Sequence, residues 1–130
     1  MRFLGTASPD LGTSCETPAF ALSREEAPLG EPVQWTVTGP DDGRYFLALD
    51  VAEFTAAPDG TFTSVPYAGR ARDRTQQLSA DIDVGDDCRD TGVFGVLAPV
   101  QPGPHTVSLF RRSPGRIERV ADRPLRVLAE

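Results

Sequence analysis

The chain of 130 residues contains neither lysine nor asparagine, and all 13 of its basic residues are arginine. That bias fits a GC-rich genome of the actinobacterial kind. It makes an arginine at any one position weaker evidence for bidentate recognition, because lysine was hardly on offer. Histidine, methionine and tryptophan each occur once and cysteine twice. A zinc or copper centre needs several imidazole or thiolate ligands, so this supply argues against the usual transition-metal sites, and no cofactor is expected. Apolar runs are short, and none approaches the roughly 20 residues of a membrane span. Net charge is -6, the wrong sign for nucleic acid or an anionic membrane as partner. The opening "MRFLGTASPDLG" offers one arginine and only "FLG" as an apolar run, which is no signal peptide. With Met1 as native start the cytoplasm is expected, whereas an excised fragment leaves an extracellular origin open. No serine lies in a G-x-S-x-G elbow and no glycine-rich loop precedes a helix. Cys88 stands among aspartates, whose charge disfavours a reactive thiolate. Enzymatic activity is therefore not expected.

What the sequence does contain is alternation. Its length suits one domain spanning residues 1–130, with 1–17 as an extended amino-terminal segment. Twelve glycines and twelve prolines are scattered singly, as in a fold of many short strands and tight turns. "VQWTVTG" puts Val33, Trp35 and Val37 on one face, with Trp35 expected in the core. "RYFLALDV" groups Tyr45, Leu47, Leu49 and Val51, with Phe46 and Ala48 opposite. "LSADIDV" turns Leu78, Ala80, Ile82 and Val84 inward and Ser79, Asp81 and Asp83 outward. "HTVSLF" and "PLRVLA" bury Val107 and Leu109, then Leu125 and Val127. "GVFGVLAP" is apolar on both faces, which predicts a doubly covered central strand or a sheet crossing. "PDDGR" and "APDGT" set Gly43 and Gly60 where a positive φ is cheap. "SPGR" has the signature of a type II turn joining two strands of a hairpin. "YAGRARDRTQQ", residues 67–77, lacks periodicity and is expected to be a loop. About eight strands of this kind predict an all-β, antiparallel two-sheet sandwich.

Two stretches carry a resemblance. "AFALSREEAPLGEPVQWTVTG" resembles the first two strands of bacterial immunoglobulin-like and fibronectin-III-like domains, and "VQPGPHTVSLF" resembles a later strand of the same superfamily. The resemblance implies an immunoglobulin-like β-sandwich and carries no specific function. His105 stands where those domains usually place the tyrosine that ties a corner. Neither "VQWTVTG" nor "HTVSLF" contains the cysteine of the inter-sheet bridge of antibody domains.

Four features are candidates for function. "SADIDVGDDCRD" (79–90) holds Asp81, Asp83, Asp86, Asp87 and Asp90. It is foremost a strand end facing water, where acid discourages edge pairing. It is next a disulfide anchor, and last a calcium loop that would recruit Asp41 and Asp42 from a neighbouring turn, since EF-hand spacing is absent. Cys15 and Cys88 permit a single bridge closing about 70 residues, worth up to ~4 kcal/mol. Both have the small or polar neighbours of exposed cysteines, and a bridge and free thiols both stay open. His105 is expected to be a corner residue bonded to backbone rather than a ligand or base. Arg111, Arg112, Arg116 and Arg119 cluster about the "SPG" turn while acids concentrate elsewhere. That hairpin is either a solvated tip or a docking site for acidic groups. The expected function is a non-catalytic binding or protein-interaction module, its partner another protein. The alternative is a carrier of an apolar small molecule, whose cleft Phe46, Phe54, Phe62, Tyr67 and Phe94 would line.

Overall fold

β-branched and aromatic residues at alternate positions favour an extended backbone with one covered face, and this chain forms ten such strands with no α-helix among its described residues. The computed structural model describes residues 15–70 and 75–129. In chain order the strands are β1 (Ala19–Leu22), β2 (Glu26–Pro28), β3 (Val33–Thr38), β4 (Arg44–Leu49), β5 (Val51–Ala56), β6 (Phe62–Pro66), β7 (Gln76–Gln77), β8 (Arg89–Phe94), β9 (Gly103–Ser113) and β10 (Arg116–Leu128). One 3-10 turn, Gly85–Asp87, precedes β8. The first sheet has the order β1-β3-β8, the second β2-β10-β9-β4-β7, and β5-β6 form a separate hairpin.

The main core lies between the first two sheets. Phe20, Val33, Trp35, Val37 and Phe94 come from the first; Tyr45, Leu47, Leu49, Val107, Leu109, Leu125 and Val127 come from the second. A second cluster forms on the other side of β4 and β9, where Phe46, Ala48, Phe110 and Ile117 meet Val51, Phe54 and Phe62 of the β5-β6 hairpin. β4 is thus covered on both faces. Roughly 1.5–3 kcal/mol accompanies full burial of each large apolar side chain, so Phe46 and Phe110 give the hairpin good reason to stay docked.

Several expectations from the sequence are corrected. Val51 belongs to the second cluster, not with Leu47 and Leu49. Asp50 between them takes a left-handed φ of 60°, which breaks the alternation and redirects the chain into β5. The pairing is not wholly antiparallel: β2 runs parallel to β10, with Val127 opposite Ala27. Alternation tells which face a side chain occupies but not which way its neighbour runs. The stretch 78–84 is no continuous strand. Its Ile82 makes an isolated bridge to Tyr45, Ala80 is exposed, and the Ser79 hydroxyl accepts the Leu47 N–H at 3.0 Å, taking the place of a ladder bond. Residues 67–77 are not all loop, since Gln76–Gln77 pair with β4. "GVFGVLAP" is covered on one face only: Phe94 and Val96 are buried against the core, Val93 and Leu97 are 60% and 61% exposed, and among the described residues β8 ends its sheet. Gly60 does have a positive φ (89°), but Gly43 does not. Gly43 is favoured instead by close approach, since a Cβ there would lie 3.0 Å from the Arg112 carbonyl oxygen. The hairpin expected at "SPGR" joins β9 to β10, with Arg116 opposite Ser113. Of the amino-terminal segment assigned to 1–17, residues 1–14 lie outside the described residues.

Candidate interaction surfaces

The four arginines of the β9-β10 hairpin do sit together, but acids are interleaved with them. Arg111 holds Glu118 at 2.7 Å and approaches Asp42 at 3.5 Å; Arg116 holds Glu118 at 3.1 Å. The hydrogen bond from Arg111, reinforced by the charge of Arg116, pulls the Glu118 carboxyl below its ordinary pKa, and the same bond raises that of Arg111. Arg112 lies over the Phe46 ring at 5.0 Å and 3.5 Å from Asp81, although its buried Nε has no hydrogen-bond partner. Arg119 pairs with Asp122 at 3.1 Å, stacks over Tyr67 at 5.4 Å and donates to the Tyr67 hydroxyl. The expected separation of charges is therefore absent here. Each arginine is already matched within the chain, which lowers the field this hairpin presents to an acidic partner.

The acidic segment turns about Cys88. The sulfurs of Cys15 and Cys88 are bonded, with Cα atoms 5.3 Å apart. Cys88 is buried rather than exposed. The loops carrying Asp41 and Asp83 meet: partial desolvation and the carboxylates of Asp83 and Asp86 push the Asp41 carboxyl above its ordinary pKa, with Arg44 opposing. Arg44 pairs with Asp83 at 3.6 Å. Among the described residues no group of three or more potential ligands has the geometry to hold a metal ion.

The strongest polar constellation was missed from the sequence. Asp50 and His105 are both buried, and His105 Nδ1 faces the Asp50 carboxyl across 2.5 Å. The His105 Nε2–H donates to the Gln101 carbonyl at 2.6 Å; a carbonyl only accepts, so this nitrogen carries a proton. Asp50 also accepts the Thr106 N–H at 3.0 Å, and Arg70 Nε lies 3.8 Å away. Both ring nitrogens are therefore committed, and the pair ties the start of β9 to the β4–β5 junction. The signal was present: Asp50 is a lone acid inside "YFLALDVA".

The five aromatics named for a carrier cleft do not share one site. Phe46 and Phe54 pack with Phe110, with ring centroids 4.9 to 5.5 Å apart, and Phe62 borders them. Phe94 belongs to the main core, and Tyr67 bonds Ser108 and Arg119. Beside Phe54 an open groove of about 460 Å³ is lined by Ala52, Glu53, Phe54, Ile117, Glu118 and Arg119. Trp35 is buried as expected, its Nε1 without a partner. Its ring lies directly under Gly92, where a Cβ would come within 2.3 Å of it.

No family model matches the chain, and no curated protein matches it. Among solved structures it is similar to Spo0M, a sporulation control protein from Bacillus subtilis, with 15% identity over 88% of this chain and 49% of that one, at a TM-score of 0.47. It is also similar to the Pseudomonas fluorescens alkylpurine DNA glycosylase AlkC bound to DNA containing an abasic site analog. There the identity is 13%, over 83% of this chain and 29% of that one, at a TM-score of 0.41. The chain thus spans about half the length of the first and less than a third of the second. Likenesses this weak say nothing about what this chain does. Among the described residues no helix is long and apolar enough to cross a membrane.

Proposed function

We propose that the chain is a non-catalytic protein-interaction module with an immunoglobulin-like two-sheet sandwich fold. Strand order supports the fold. β1-β3-β8 opposes β10-β9-β4, as three strands of the A-B-E-D sheet oppose G-F-C in immunoglobulin domains. His105 at the start of β9 bonds the carbonyl four residues upstream, the task of the corner tyrosine in that fold. The observation that carries the functional reading is the placement of exposed apolar surface. Among the described residues the large hydrophobics that stand in solvent, Val93 and Leu97, lie on and just beyond one edge strand rather than inside a pocket. The lone histidine also has no ring nitrogen free for a substrate.

A carrier of an apolar small molecule is the second reading, supported by the groove beside Phe54 and Ile117, whose volume suits a small ligand. Against it, Phe46, Phe54 and Phe110 fill one another's space, and three of the six lining residues are charged. One paired experiment separates the two. Selection from a random peptide library on the immobilised chain should enrich sequences that bind saturably, while apolar ligands should leave the melting temperature unchanged. A carrier would instead gain about 2.7 kcal/mol at a ligand concentration 100 times its Kd and select no peptides.

A further inference from the structure

Among the described residues the first sheet stops one strand short. Immunoglobulin sheets of this kind carry a fourth strand beside the one that β8 corresponds to. Here β5 and β6 leave that sheet to form their own hairpin over the second cluster. Among the described residues β8 pairs only with β3. Backbone parity shows which groups face the open side. The Gly39 N–H donates to the Cys88 carbonyl and the Ser23 N–H to the Gln34 carbonyl. In an antiparallel ladder these bonds alternate, so even-numbered residues of β8 bond β3 while Thr91 and Val93 direct their N–H and C=O groups outward. Thr91 and Val93 are exposed. The Thr91 N–H is held by the Asp90 carboxylate at 2.9 Å, an acidic guard of the kind that keeps edge strands from pairing at random.

The surroundings of this edge have a definite polarity. At its carboxyl end stand the exposed side chains of Val93 and Leu97. The Leu97 backbone is held there by the Gln76 amide, whose oxygen accepts the Leu97 N–H at 3.0 Å and whose nitrogen donates to its carbonyl. At the amino end stand Asp86, Asp87 and Asp90, none of which forms an ion pair among the described residues.

We propose that the edge of β8 at Thr91 and Val93 accepts an extended segment of a partner protein as the missing fourth strand. The segment runs antiparallel to β8, with apolar side chains over Val93 and Leu97 and basic residues at its carboxyl-terminal end beside Asp86, Asp87 and Asp90. This rests on the interaction-module reading and names its surface and partner. Main-chain bonds supply affinity in strand addition, and flanking side chains supply direction.

The probe is a labelled peptide of alternating valines and threonines ending in two lysines, titrated by fluorescence anisotropy against the oxidised full chain. Binding should be saturable, should weaken as salt rises, and should exceed that of the reversed peptide with its lysines first. Val93→Pro removes an outward N–H and no bond to β3, so it should preserve the melting temperature while weakening binding at least about tenfold. Val93→Asp keeps the N–H but removes the apolar contact, and should also weaken binding; Arg116→Ala should not. Failure of the peptide to bind, or equal binding by wild type and both Val93 variants, overturns the proposal. Dimerisation of the free chain abolished by Val93→Pro also overturns it, since the occupant would be a second copy. If library-selected peptides bind but ignore Val93→Pro, the module reading survives and the β8 site does not.

Discussion

Removing the Cys15–Cys88 bridge is the perturbation whose cost is most directly worked from the structure. The two cysteines are 73 residues apart, and the loop between them contains every strand from β1 to β7. Chain-entropy reasoning assigns such a loop about 4 kcal/mol through restriction of the unfolded chain. Native contacts should lose little beyond the buried Cys88 sulfur in a Cys15→Ala/Cys88→Ala double variant, because Cys15 is exposed and precedes β1. Unfolding entropy of about 2.1 cal/mol/K per residue, over a chain of this length, converts that energy to a fall of about 15 °C in melting temperature. Calorimetry on the oxidised protein and the double variant, with thiols counted in each, makes the comparison. Trp35 emission should be the same in both folded states. Two titratable thiols in the native wild-type chain, or a double variant melting within about 3 °C of it, would refute the reasoning.

Other substitutions test the core, the corner and the hairpin. Gly92→Ala forces Trp35 from under β8 and should cost about 1–3 kcal/mol, visible as a lower melting temperature with shifted tryptophan emission. His105→Ala leaves the buried Asp50 carboxylate without its closest partner and should cost about 3–5 kcal/mol in denaturant unfolding. Glu118→Gln removes a group whose pKa is lowered in the folded state. Its contribution is present above the unfolded pKa and lost as pH falls through the folded one. The variant should be less stable than wild type near neutrality, by less than about 1 kcal/mol at this part-exposed site, and the two curves should converge in acid.

The sequence revealed faces better than connections. Val33, Trp35, Val37, Val107 and Leu109 were legible because each lies on a strand with a period of two and one shared core. Val51 was not, because a single left-handed residue, Asp50, shifts the phase between β4 and β5. "GVFGVLAP" misled because apolar residues on both faces suit a doubly covered strand and a half-exposed one alike; only the presence or absence of a covering layer distinguishes them. The Arg111–Glu118 and Arg112–Asp81 pairings were hidden for a related reason. Glu118 faces Arg111 across the β9-β10 ladder, and Asp81 arrives from a loop more than thirty residues earlier. Counting charges along the chain registers neither contact. Asp50 and His105, 55 positions apart, meet only once β4 and β9 are paired.

The most direct test of the account is an amide chemical-shift map of the full chain titrated with the strongest library-selected peptide. The largest changes should fall on Thr91, Val93 and Leu97, with protection from exchange appearing at the Val93 N–H. Changes centred instead on Phe54, Ile117 and Arg119, and reproduced by a small apolar ligand, would contradict it.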